Sequence, residues 1–146
     1  MLKYMLDTNI CIYTIKNRPA EVREHFKANS NRLCISSVVL SELLFEAEKS
    51  QNRERAFADV EGLVARLDVL DFDERAAAHA AEIRAELAKA GTPIGAYDVL
   101  IAAHARSQGL ILVSNNLCEF NRVAGLRTEN WGGVNGLDSL KCAFHL

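Results

Sequence analysis

Three acidic residues stand where a folded chain would present them to a ligand: Asp7, Glu42 and Asp98. Asp7 ends the apolar run Leu2-Lys3-Tyr4-Met5-Leu6. Glu42 interrupts Val38-Val39-Leu40-Ser41-Glu42-Leu43-Leu44-Phe45, and Asp98 precedes Val99-Leu100-Ile101-Ala102-Ala103. A carboxylate in apolar surroundings is costly unless it is paired, protonated or bound to a metal. Three such acids, far apart in sequence, are answered together by one hard divalent cation with oxygen ligands. Carboxylates that hold Mg²⁺, with Mn²⁺ as a substitute, leave positions for water and a phosphate oxygen, which is the chemistry of metal-assisted phosphodiester hydrolysis. Each acid also has a purely structural reading. Asp7-Thr8-Asn9 is a good helix N-cap, Glu42 can reach solvent at a helix rim, and Asp98 complements a helix dipole.

The elements that must position these residues follow from the apolar pattern. Residues 2–6 read as a strand, followed by a short helix near 8–16 and another near 19–29, with Pro19 suited to a first helical turn. Leu33-Cys34-Ile35 reads as a second strand, and Ser36 or Ser37 caps the helix that carries Glu42. Over 54–67, Phe57, Val60, Leu63, Val64 and Leu67 recur with helical period. Val69-Leu70-Asp71-Phe72 is a third strand, and Asp73 caps a helix running to about Lys89. A loop over 91–95 leads to a helix over about 96–108, ended by Gly109. Leu110-Ile111-Leu112-Val113 is a buried strand, and Leu126-Arg127-Thr128 a short last one. Alternating strands and helices predict an α/β fold with a largely parallel central sheet flanked by helices. In such sheets the ligand crevice lies beyond the carboxyl ends of the strands, where Asp7 and Ser114-Asn115-Asn116 fall.

Composition narrows the function. A chain of 146 residues is one ordinary domain with room for a core. No apolar run approaches the roughly 20 residues of a membrane span, and the start lacks the pattern of a signal peptide, so a cytoplasmic protein with no membrane partner is expected. The formal charge of −2 gives no global attraction to nucleic acid. Candidate phosphate contacts are Lys16, Arg18, Arg53, Arg55, Arg84, Arg106 and Arg122. The four cysteines have no CxxC spacing, which argues against zinc and against a disulfide framework. Reduced thiols are expected, with Cys11 and Cys34 as small core hydrophobes. His104 lies on an alanine-rich helix and is read as packed and hydrogen-bonded rather than as a ligand.

Four ordered blocks then carry a resemblance. They are Met5–Asn9, Ile35–Leu43, Pro93–Ala105 and Leu110–Phe120. Together they resemble the PIN-domain ribonucleases, in particular the VapC-type toxins of bacterial type II toxin–antitoxin pairs. The resemblance covers residues 1–131 and leaves 132–146 as a C-terminal tail of unknown origin. It implies a PIN-domain-like three-layer fold, with Asp7, Glu42 and Asp98 as the metal-binding acids of a Mg²⁺-dependent endoribonuclease. Members often have a fourth acid where this chain has Asn116, and Glu119 follows three residues later. Asn116 or Glu119 would orient water. Thr8 and Ser114 match small hydroxyl positions near the metal, and Glu46 departs from a glycine common in relatives. The enteric-type members nearest in pattern cut the anticodon loop of initiator tRNA and so inhibit translation. The resemblance also implies a VapB-type antitoxin, received around Ile10, Ile12, Tyr13 and Ile15, and a homodimer within a higher toxin–antitoxin complex. Core packing is the alternative role for those four side chains. Three other functions stand beside this one, the first being a PIN nuclease with another target, such as ribosomal RNA, messenger RNA or structured DNA. A silent PIN-like module would only bind RNA or protein, although all three core acids are retained. An aspartyl-nucleophile phosphohydrolase usually has a second Asp two residues after the first, where Asn9 stands here.

Overall fold

The computed structural model describes residues 1–16 and 20–131. Pro19, Arg18, Cys142 and the tail over 132–146 lie outside the described residues. The chain runs β1 (Tyr4–Leu6), α1 (Thr8–Lys16), α2 (Ala20–Ala28), β2 (Leu33–Ser36), α3 (Ser37–Lys49) and α4 (Arg53–Val64). It continues through β3 (Asp68–Leu70), α5 (Glu74–Ala90), α6 (Ala96–Ser107), β4 (Ile111–Val113), α7 (Leu117–Phe120) and β5 (Thr128–Glu129).

The five strands form one sheet in the order β3-β2-β1-β4-β5, every pair parallel. Parallel strands need crossovers, and the helices between them supply these while covering the sheet. The central strand β1 and its neighbour β2 are buried along their lengths, as covering on two faces requires: Tyr4, Met5 and Leu6 on β1, and Leu33, Cys34, Ile35 and Ser36 on β2, are all buried. The strand order reverses direction between β1 and β4, so the gap beyond their carboxyl ends is the fold's natural ligand crevice. Asp7 and Ser114 are the first residues past those two ends. The Asp7 amide donates to the Val113 carbonyl at 3.0 Å, and the Ser114 amide to that of Glu129 at 3.0 Å, so both are held by continuing sheet pairing.

The helices follow their caps. Ser36 accepts from the Val38 amide at the start of α3, and Asp73 from Ala76 at the start of α5. Gly109, with φ +67°, turns the chain from α6 into β4 in a conformation that disfavours a side chain. Val60 and Leu63 are the buried face of α4, as the helical period predicts. Two expectations shift and one element is new. The third strand lies at Asp68–Leu70 rather than Val69–Phe72, because the Phe72 amide bonds the Ser37 hydroxyl instead of a strand. The last strand lies at Thr128–Glu129 rather than Leu126–Thr128. The short helix α7 has no counterpart in the sequence reading. Cys11 and Cys34 are free and buried, as expected.

Candidate active site

Asp7, Glu42 and Asp98 line one cavity of about 490 Å³ at the switch point of the sheet. Asp7 is buried, with 5 % of its surface exposed. One of its oxygens, Oδ1, accepts from the Ile10 amide at 2.9 Å, so it does cap α1. The capping role read from the sequence is therefore present, in a carboxylate that also lines the cavity. Burial pushes its pKa up from 3.8 to about 6. Hydrogen bonds from Ser114 and the Ile10 amide pull it back in part, and the charge of Glu42 adds to the rise.

Glu42 lies in the second turn of α3, and its Oε1 accepts from the Thr8 hydroxyl at 2.9 Å. Thr8 opens α1, so one hydrogen bond joins the start of that helix to the acid of another. Asp98 sits in the first turn of α6, where the dipole favours a negative charge. The site nevertheless lifts its pKa to about 8, through burial first, then a hydrogen bond with Glu119 and the charges of Glu119, Asp7 and Glu42. Burial and the neighbouring carboxylates thus favour the protonated form of Asp98 beside Glu119. Gly95, the N-cap of α6, has a structural part here: a Cβ at that position would meet Asp98 Oδ2 at 3.3 Å.

Asn116 and Glu119 separate. Asn116 is the exposed N-cap of α7 and makes no side-chain cap bond; its amide donates to Ser114 Oγ at 2.9 Å. Glu119, one turn later on α7, is the residue that meets Asp98, and its Oε2 is buried without a partner. Ser114 reaches Asp7, as the small hydroxyl position suggests. Glu46 lines the cavity mouth and pairs with Lys49 at 3.0 Å. His104 is buried and bonded through Nδ1 to Ser36 Oγ at 2.8 Å, with its ring edge-on to Phe72. It is a packed histidine, as expected. Tyr97 and Phe45 also line the cavity, and the sequence reading assigned neither a role. Their signal was available in the chain, since each lies within three residues of a site acid.

The donor set suits a hard cation: every candidate ligand is a carboxylate oxygen, burial and mutual repulsion raise the pKa of Asp7 and Asp98, and Glu119 Oε2 lacks a partner. In the arrangement described, Asp98 is bonded to Glu119 and Glu42 to Thr8. Among the described residues no group of three His, Cys, Asp or Glu side chains is yet arranged to hold an ion. The chemistry of the donors fits a metal, and proton sharing and protein hydrogen bonds occupy the same oxygens.

Residues 4–126 match the PIN domain family. The chain is 63 % identical to the tRNA(fMet)-specific endonuclease VapC of Shigella flexneri over 131 residues, 90 % of this chain and 99 % of that one. It is 56 % identical to Ribonuclease VapC2 of Haemophilus influenzae, with the same coverage of both. The crystal structure of DNA-bound VapBC from Salmonella typhimurium superimposes with a TM-score of 0.86 at 58 % identity, covering 90 % of this chain and 99 % of that one. Similarity of this extent, along nearly the whole of each relative, means that the chain belongs to the VapC endoribonucleases of the PIN-domain family.

Proposed function

We propose that the chain is a Mg²⁺-dependent endoribonuclease toxin that cuts the anticodon loop of initiator tRNA, inhibits translation, and is restrained in the cytoplasm by a VapB-type antitoxin. The observation that carries the reading is the convergence of Asp7, Glu42 and Asp98, from three separate parts of the chain, on one cavity at the strand switch point. The name of the Shigella flexneri relative supports the tRNA substrate, and the VapBC assembly from Salmonella typhimurium supports the antitoxin.

Asp7, Glu42 and Asp98 would hold the cation, Mg²⁺ with Mn²⁺ as a substitute. When bound, a cation of this kind offsets charge on the scissile phosphate and lowers the pKa of a bound water. The protein's own groups prepare the site. The Ile10 amide and Ser114 fix the Asp7 carboxylate, and Thr8 fixes Glu42. Glu119 is hydrogen-bonded to Asp98 and is better placed than Asn116 to orient water, since Asn116 is exposed at a helix cap. Ile12 and Ile15 line a shallow cavity of about 240 Å³ with Leu43, Ala47 and Val60. That aliphatic lining suits the apolar side chains of an antitoxin segment, whereas Ile10 is fully buried and belongs to the core.

The test is cleavage of total RNA by the purified chain, followed by mapping of the cut ends. Cutting is expected with Mg²⁺ or Mn²⁺, is expected to stop with chelator, and should leave 5′-phosphate and 3′-hydroxyl ends in the initiator anticodon loop. Cleavage that persists in chelator, or 2′,3′-cyclic phosphate ends, would show that the RNA 2′-hydroxyl attacks and that the acids have another role. Cuts confined to other RNAs would overturn the substrate and leave the nuclease.

A further inference from the structure

Three large hydrophobic side chains are exposed among the described residues: Met1, Phe45 at 60 % and Tyr97 at 57 %. Met1 begins the chain. The other two line the same cavity as the site acids, and they come from different helices. Phe45 follows Glu42 by three residues on α3, and Tyr97 directly precedes Asp98 on α6. By contrast Phe26, Phe120 and Trp131 are buried. An aromatic ring left in water beside a polar site marks a surface that receives something flat and apolar.

The charge of the cavity says what. Its lining contains Asp7, Glu42, Glu46 and Asp98, and no lysine or arginine. A polyanion gains little from these walls beyond what a bound cation offsets, so its affinity at this place has to come from uncharged contacts. Unstacked bases supply a π-face for such a contact, and single-stranded RNA loops are the form in which bases are free to offer it. Lys49 lies over the Phe45 ring at 4.8 Å while paired with Glu46, which steadies the ring and still leaves most of it in solvent. A peptide partner fits less well, because covering this cavity with apolar side chains would strip water from the acids without pairing them. The neighbouring aliphatic groove along Ile15, Leu43 and Val60 has no such penalty along most of its lining.

We infer that Phe45 and Tyr97 are base-stacking residues, receiving the unstacked bases that flank the scissile phosphate of a single-stranded RNA loop. The inference rests on the endoribonuclease reading of the site and adds the contact by which the substrate is held. The rings stack in the ground state and in the transition state alike, so their loss acts on KM more than on kcat.

The experiment is steady-state cleavage of an initiator tRNA anticodon stem-loop by the full chain at saturating Mg²⁺. Phe45→Ala and Tyr97→Ala should each raise KM by about 10-fold or more with a much smaller change in kcat. Tyr97→Phe, which keeps the ring, should retain the wild-type KM. An abasic nucleotide in the loop should reproduce the loss, and pairing it with the matching alanine variant should add little. Should an alanine variant fail to fold, Phe45→Leu and Tyr97→Leu give the same comparison, because leucine keeps bulk without a π-face. An unchanged KM in both folded variants overturns the inference. So does a loss of self-association or antitoxin binding with KM unchanged, which would assign the rings to a protein partner. Failure of the wild-type chain to cleave any RNA refutes the nuclease reading itself, and that result is seen before any substitution is made.

Discussion

Asp7 carries two demands that oppose each other. In the proposed mechanism its carboxylate must be ionised to hold a cation, yet it is buried in the site, where burial raises its pKa to about 6. The cost falls on the stability of the metal-free chain. An acid whose pKa is higher in the folded state than in the unfolded one makes the native state bind more protons, so stability falls as pH rises between the two values. For Asp7 that window runs from 3.8 to about 6, and Asp98 extends it to about 8. Asp7→Asn removes the penalty and keeps the oxygen that accepts from the Ile10 amide. Thermal denaturation of metal-free protein at pH 7.5 should therefore give a higher Tm for Asp7→Asn than for wild type, with the gap closing near pH 4. Cleavage should fall by at least about 100-fold, the scale of losing one charge-stabilising group from an active site. A variant that is less stable than wild type at pH 7.5 would show that the carboxylate is already compensated within the protein. Gly95 belongs to the same economy of space. Gly95→Ala brings a Cβ to 3.3 Å from Asp98 Oδ2, so the carboxylate must give by a few tenths of an ångström. Mn²⁺ titration by calorimetry should show weaker binding in that variant with Tm little changed; unchanged affinity would mean that Asp98 has slack to spare.

At the scale of elements, the site depends on how α3 and α6 are tied together, since one brings Glu42 and the other Asp98. Ser36 does this tying. Its hydroxyl caps α3 at the Val38 amide and also meets His104 Nδ1, which projects from α6. Burial lowers the His104 pKa, so the ring is neutral and accepts or donates without a charge to solvate. Ser36→Ala removes the cap and leaves a second ring nitrogen unpartnered, since Nε2 already has no partner. A loss of about 1–3 kcal/mol is expected, read as a fall in Tm, with a loss of nuclease activity if the helices shift. No measurable loss would mean that water replaces the hydroxyl. The caps and apolar runs that build these elements were legible: Ser36, Asp73 and Gly109 announced the ends of α3, α5 and α6, and the apolar strands announced β1, β2 and β4. What could not be read were short elements without a period. The four residues of α7 and the two of β5 are set by tertiary pairing, and β3 slid because Phe72 found Ser37. The consequence reached the site. With α7 unseen, Asn116 and Glu119 looked equivalent, and only the helix turn shows that Glu119 faces Asp98 while Asn116 caps in solvent.

Across the whole molecule, the charge distribution limits how RNA can be held. The formal charge is −2, and no helix among the described residues is long and apolar enough to cross a membrane. Several of the cations that could have met phosphates are engaged inside the fold. Arg106 bonds His79, Glu82 and the Ala124 carbonyl at 2.9–3.0 Å, joining α5, α6 and the loop before β5. Arg122 bonds the Pro93 carbonyl at 3.2 Å, and Arg53 is paired with Glu48. Lys16, Arg55 and Arg84 remain without an internal ion pair among the described residues, and none lines the acidic cavity. Substrate binding should then release few counterions. For single strands, log affinity falls with log salt at a slope of about −0.7 per phosphate contact. One or two contacts predict that KM rises by less than about 10-fold between 50 and 200 mM monovalent salt at fixed Mg²⁺. Steady-state cleavage of the anticodon stem-loop across that range gives the slope directly. A slope steeper than about −4 would require six or more phosphate contacts, which one copy of this surface does not offer at its active site. Binding would then depend on a basic surface assembled from two copies of the chain, and dilution below the dimer dissociation constant should flatten the slope again.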